Sequence, residues 1–119
     1  MTIKKTNPDF LNGVPELLVL QLLDRQPMHG YDLVQAIRET SGMKLDFGEG
    51  CIYPVLHRLE EQKLLAAKRA LVGGRNRIIY RVTKQGQKRL AESVATWKNI
   101  VAAVSTVLQG SEYGKPAME

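Results

Sequence analysis

Cys51 is the only cysteine in this sequence, so an internal disulfide framework is excluded. So is any zinc site that needs several thiolates. The only histidines, His29 and His57, lie far apart with no carboxylate or thiol clustered on them, so neither a metal nor a cofactor is expected. Long apolar runs are missing too. The best one, Val14 to Leu23, is interrupted by Pro15, Glu16 and Gln21, well short of the about 20 residues that span a bilayer. No apolar signal core directly follows Lys4 and Lys5, which places the chain in the cytoplasm with no membrane partner. There is no nucleophile paired with a base and no phosphate-binding glycine loop followed by a lysine, so the chain is not expected to be an enzyme.

The most informative absence is that of acid. Between Gln62 and Ala91 there are nine basic residues (Lys63, Lys68, Arg69, Arg75, Arg77, Arg81, Lys84, Lys88 and Arg89) and no Asp or Glu. The rest of the chain carries eight basic and twelve acidic residues, so the formal net charge of +5 is concentrated in one segment. Such a field attracts polyanions, nucleic acid foremost; a basic face that merely meets water is the plain alternative.

A length of 119 residues suits one small domain. Its core is thin, which makes a partner chain a natural way to bury more surface. A first helix is expected over Val14 to Arg25, with Pro15 in the first turn and Gln26-Pro27 as the stop. Its leucines cover nearly the whole circumference, so it is buried on more than one side. A second helix is expected over Gly30 to Thr40, with Tyr31, Val34 and Ile37 on one face and Leu33 beside them. A third starts near Glu49 to Cys51 and ends near Gln62. Ile52, Val55, Leu56 and Leu59 fall at i, i+3, i+4 and i+7, one buried stripe. The opposite face carries Gly50, Pro54, His57, Arg58 and Glu61, with Tyr53 on the flank. Pro54 is tolerated if it lies in or near the first turn.

Two strands follow, Leu65 to Leu71 and Arg77 to Thr83, with Gly73-Gly74-Arg75-Asn76 as the hairpin turn. Thr83 is a reasonable N-cap for a last helix reaching about Gln109. There Leu90, Val94, Trp97, Val101, Val104 and Leu108 are spaced 4, 3, 4, 3, 4, a heptad seam. No other long helix exists to cover it, so a second copy of the chain is the simplest cover. Residues 1–83 then form a DNA-binding domain, 84–110 a C-terminal dimerisation helix and 111–119 a loose, disordered tail.

Three helices followed by a basic hairpin is the plan of a winged helix-turn-helix, here mainly α (α+β) with a two-stranded wing and a long C-terminal dimerisation helix. The third helix fits a major groove. It presents Gly50, Tyr53, His57 and Arg58, where Gly50 lets backbone approach a phosphate and the helix N-terminus favours an anion. On the wing, the Gly73-Gly74 tip is narrow and Lys68, Arg69, Arg75 and Arg77 supply charge. Contacts of this kind give affinity and position rather than sequence choice.

The sequence resembles the PadR family of bacterial transcriptional regulators over about residues 14 to 98. The pieces that carry the resemblance are Glu16 to Leu23, His29-Gly30-Tyr31-Asp32-Leu33, Gly50 to Glu60 (GCIYPVLHRLE), Gly73 to Tyr80 (GGRNRIIY), Thr83-Lys84-Gln85-Gly86 and Trp97. The short tail resembles the smaller subfamily with one C-terminal helix for dimerisation. The resemblance implies a homodimer that binds double-stranded DNA at an inverted-repeat operator, usually as a repressor. It implies contacts from Gly50, Tyr53 and Arg58 and from Gly74, Arg75 and Arg77. The chain departs from the family at Cys51, where Thr or Ser is usual.

Single residues keep two readings. Tyr53 either donates to a phosphate or caps the core edge with its ring. His57 either reaches DNA or is solvated. Cys51 is either a redox switch at a helix N-terminus or a small residue packed near the core. Val94, Trp97 and Val101 form either an effector pocket at the dimer seam, where paired indoles would flank a flat aromatic small molecule, or a packed interface. For the whole chain, the rival to a DNA-binding regulator is a dimeric protein-interaction module that has lost DNA binding. Duplex binding with a steep salt slope separates the two.

Overall fold

The computed structural model describes residues 13–110; the expected loose tail at 111–119 lies outside them. In chain order the elements are α1 (Val14–Arg25), β1 (Met28–His29), α2 (Gly30–Thr40), α3 (Glu49–Glu61), β2 (Leu65–Val72), β3 (Arg75–Val82) and α4 (Lys84–Leu108). Pro15 sits in the first turn of α1, and Gln26 ends it in an extended conformation ahead of Pro27, as the residue before a proline prefers.

The core lies where α1, α2 and α3 meet. Val19, Leu20 and Leu23 of α1, Leu33 and Ile37 of α2, and Ile52, Leu56 and Leu59 of α3 are almost sealed from solvent. Burial of each such side chain is worth about 1.5–3 kcal/mol. Phe47 joins them from the α2–α3 connection, Leu64 and Leu65 from the start of β2, and Tyr80 from β3.

The sheet has the order β1-β3-β2 and is antiparallel throughout. The two-stranded wing thus gains a third, two-residue strand, with Met28 opposite Tyr80 and His29 opposite Ile79. The wing is also longer than the sequence pattern indicates. Val72 pairs with Arg75, so only Gly73 and Gly74 form the turn, with left-handed φ of 57° and 80°. Two glycines reach that region without a Cβ penalty, and a turn of this hand matches the strand twist. Arg75 and Asn76 are therefore strand residues.

One further expectation is corrected. Tyr31 is 48% exposed rather than part of the α2 stripe. The buried residues are Leu33, Val34 and Ile37, and helical spacing puts Tyr31 roughly 110° from their centre. Pro54 falls early in the second turn of α3, near the first as the sequence allows. Its missing N–H leaves the Gly50 carbonyl without the usual helical donor, a cost softened because both residues are exposed to water.

Thr83 caps α4 as expected. Its hydroxyl accepts from the Gly86 N–H (3.0 Å) and donates to the Lys63 carbonyl (2.8 Å), while its own N–H donates to the Leu64 carbonyl (3.1 Å). One residue thereby ties the start of α4 to the α3–β2 turn. Along α4, Leu90 is buried and Val94 packs against the same core. Beyond them the apolar stripe is open: Trp97, Ile100, Val101, Val104, Val107 and Leu108 are all exposed. No helix among the described residues is long and apolar enough to cross a membrane.

Candidate nucleic-acid interface

The outer face of α3 is exposed at Gly50, Pro54, His57, Arg58 and Glu61, while Tyr53 is half-buried on its flank. A Cβ added at Gly50 would meet nothing within 4 Å. Packing within the chain therefore does not require the glycine, and a helix interior pays for it. Tyr53 has a close fit instead. A Cβ at Gly30 would come within 2.6–2.7 Å of its ring and hydroxyl, so the glycine at the start of α2 lets the tyrosine lie flat against that turn. The Tyr53 and His57 rings are tilted at 51° with centroids 6.3 Å apart.

Arg58 has a partner within the chain. Its Nη2 faces Glu16 Oε1 of α1 at 3.4 Å, and the other oxygen of the same carboxylate takes Arg89 Nη1 of α4 at 3.0 Å. Glu16 thus joins α1, α3 and α4. The Arg58 side chain remains 49% exposed, so the guanidinium is shared between this pair and solvent. Exposed pairs of this kind are weak and screened by salt.

Strand register sorts the charges of the wing. Lys68, Arg75, Arg77 and Arg81 alternate onto one face, whereas Arg69 shares the other with Leu71, Asn76 and Ile78. The second face is the one whose inner end buries Leu65 and Tyr80. The basic segment is therefore not one patch, since Lys84, Lys88 and Arg89 belong to α4. Gly74 lies at the wing tip beside Arg75.

Wing and α3 meet in a notch of about 220 Å³ walled by His29 and Gly30, by Tyr53 and His57, and by Arg77 and Tyr80 of β3, with Asn76 and Ile78 at its rim. Sequence reasoning placed Tyr53, His57 and Arg77 near DNA and missed Asn76 and Tyr80, whose part depends on the hairpin register. It also missed that His29 caps α2: its Nδ1 accepts from the Asp32 N–H (3.3 Å) and its Nε2 faces Asp32 Oδ2 (3.2 Å). Tyr31 stacks over the His29 ring at 6.4 Å.

Cys51 is half-buried in the first turn of α3. Burial pushes its thiol pKa up, and the nearby Arg58 offsets this in part. That is the opposite of the depressed thiol a reactive cysteine needs. Among the described residues no group of three or more His, Cys, Asp or Glu gathers to hold a metal. Of the proposed seam residues, Val94 faces the chain's own core while Trp97 and Val101 are 42% and 41% exposed.

Known proteins share both sequence and fold with this chain. Residues 19–92 match the Transcriptional regulator PadR-like family. Transcriptional regulator YqjI of Escherichia coli (strain K12) is 34% identical over 84 residues, which is 71% of this chain but 39% of that protein. Transcriptional regulator Rv3488 of Mycobacterium tuberculosis (strain ATCC 25618 / H37Rv) is also 34% identical over 84 residues, covering 71% of this chain and 76% of the relative. The crystal structure of a PadR family transcriptional regulator from Eggerthella lenta DSM 2243 superposes with a TM-score of 0.75 at 30% identity, over 87% of this chain and 88% of that one. With the family match running from within α1 to the start of α4, and with three helices, a hairpin and a long final helix in the same order, this chain belongs to the PadR-like family of transcriptional regulators.

Proposed function

We propose that this regulator binds double-stranded DNA through α3 and the wing, as a homodimer on an inverted-repeat operator. The carrying observation is the notch that sets Tyr53 and His57 of α3 directly beside Arg77 of the wing. That adjacency of α3 to β3 supports reading the exposed helix face and the wing together as one surface. In this reading residues 1–83 hold the DNA, with Gly50, Tyr53, His57 and Arg58 at the groove and Lys68, Gly74, Arg75 and Arg77 on the phosphates. Residues 84–110 form the dimerisation helix, and the open stripe from Trp97 to Leu108 supports that role. A regulator of this kind works in the cytoplasm as a repressor, released when a flat aromatic molecule enters between paired Trp97 side chains. Footprinting of the DNA upstream of the protein's own gene tests the reading. A protected site with dyad symmetry is expected. A protein that protects no site there or beside neighbouring genes contradicts operator binding. Titration with flat aromatic cations and phenolics tests the effector: quenching of Trp97 fluorescence is expected, and complete insensitivity removes those classes.

A further inference from the structure

The notch between α2, α3 and β3 has a chemistry that phosphate-ridge contacts from exposed lysines and arginines do not require. Tyr80 lines it and is 3% exposed, yet no hydrogen bond reaches its hydroxyl from any described residue. Nor is that oxygen sealed: among the described residues only Arg38 Nε is both fully buried and without a hydrogen bond. The Tyr80 hydroxyl therefore opens on the notch rather than on protein. A hydroxyl so placed is free to bond a water or a ligand that enters through the notch.

The remaining lining points to an oxyanion. The Tyr53 hydroxyl likewise has no partner among the described residues. His57 brings a ring N–H, and Arg77 lines the same space from β3, with its side chain on the strand face opposite Tyr80. β1 pairs only Tyr80 and Ile79, so from Asn76 to Ile78 the edge of β3 toward the notch carries no strand. Among the described residues no carboxylate lines the space. Asp32 is engaged, and Glu60 does not line the notch although its charge acts on Tyr80. Asp32 is held on His29 Nε2, so His29 is a wall and not a donor, and Glu60 is exposed on α3. Burial above all, then Glu60 and Tyr53, raises the Tyr80 pKa, which keeps the phenol a donor.

We propose that this notch is an oxyanion site that takes one phosphate group, with the Tyr80 and Tyr53 hydroxyls and His57 as donors and the positive wing face that carries Arg77 beside it. Several converging donors suit a group with several acceptor oxygens, and hydrogen bonds to a charged acceptor are the stronger kind. The phosphate belongs either to the DNA backbone, in which case the site rests on the DNA-binding reading above, or to free inorganic phosphate, in which case it does not.

Two titrations of the full chain decide this. In the first, inorganic phosphate is added against chloride at matched ionic strength while the ring signals of Tyr53, His57 and Tyr80 are followed by NMR. In the second, duplex DNA affinity is measured across salt for the wild type, Tyr80→Phe and Arg75→Ala. Tyr80→Phe keeps the ring and removes only the hydroxyl; Tyr53→Phe serves if that variant does not fold. The expected result is that phosphate shifts the wild-type rings and not those of Tyr80→Phe. DNA binding of the variant falls about tenfold, with the salt slope unchanged because no charge is lost. A phosphate response lost in Tyr80→Phe without any DNA effect assigns the site to free phosphate. Unmoved wild-type rings together with wild-type DNA affinity in Tyr80→Phe overturn the site. Weaker DNA binding by Arg75→Ala, which lies outside the notch, then leaves the DNA reading standing. Should the wild type bind no DNA, that reading fails and the phosphate titration alone still decides the notch.

Discussion

Gly50 occupies a helical position where no described residue excludes a side chain. Glycine in a helix costs about 1 kcal/mol relative to alanine, so Gly50→Ala is expected to stabilise the fold by up to about 1 kcal/mol and to weaken DNA binding. Denaturant unfolding and a DNA titration of the same variant check both signs; unchanged affinity would remove Gly50 from the interface. Cys51 lies one residue away and points to packing rather than chemistry. Because burial raises its thiol pKa, iodoacetamide should alkylate it more slowly in the folded chain at neutral pH than in denaturant, since the thiolate is the reactive form. Faster reaction in the folded state would restore a redox role. At this scale the sequence was legible where the helical face alone decides exposure, as at His57 and Gly50 on the outside of α3. It was not legible where a distant partner decides. The Glu16 carboxylate that holds Arg58 comes from α1, 42 positions away, and no local pattern announces it.

Helices were the easiest elements to read because each carries its own apolar period and its own stop. α1 and α2 begin and end where Pro15, Pro27 and Ser41-Gly42 place them. β1 was invisible for the converse reason. Two residues carry no alternation, and Met28–His29 is a strand only because β3 lies alongside. The wing was read too short because Gly73-Gly74 was taken as half of a four-residue turn, whereas two left-handed glycines suffice. Thr83 shows how much one cap can fasten. It holds the first turn of α4 and the Lys63 carbonyl together. Thr83→Ala is expected to cost about 1–2 kcal/mol. Chemical denaturation measures the loss, and an unaltered midpoint would show that water replaces both bonds.

For the whole molecule, the two halves of α4 have different tasks. Leu90 and Val94 anchor the helix on its own domain, while the stripe from Trp97 onward has no cover among the described residues. The seam available to a partner is therefore shorter than the sequence period suggests. It lies on a helix about 37 Å long by the standard rise. The double variant Trp97→Asp, Val101→Asp places two charges in that stripe and is expected to sediment as a folded monomer; an intact dimer would assign the contact to another face. The proposed dimerisation helix and the proposed DNA-reading helix meet at α1, which packs against both α3 and α4 and whose Glu16 pairs with an arginine from each.

The central claim, that α3 and the wing hold duplex DNA, is tested most directly by the salt dependence of binding to a duplex carrying the footprinted site. The wild type should lose affinity steeply as salt rises, because each phosphate contact releases counterions. Arg75→Ala, on the wing face shared with Lys68, Arg77 and Arg81, should bind more weakly at every salt concentration and with a slope smaller by about one. Equal affinity and equal slope for the two proteins would contradict the account.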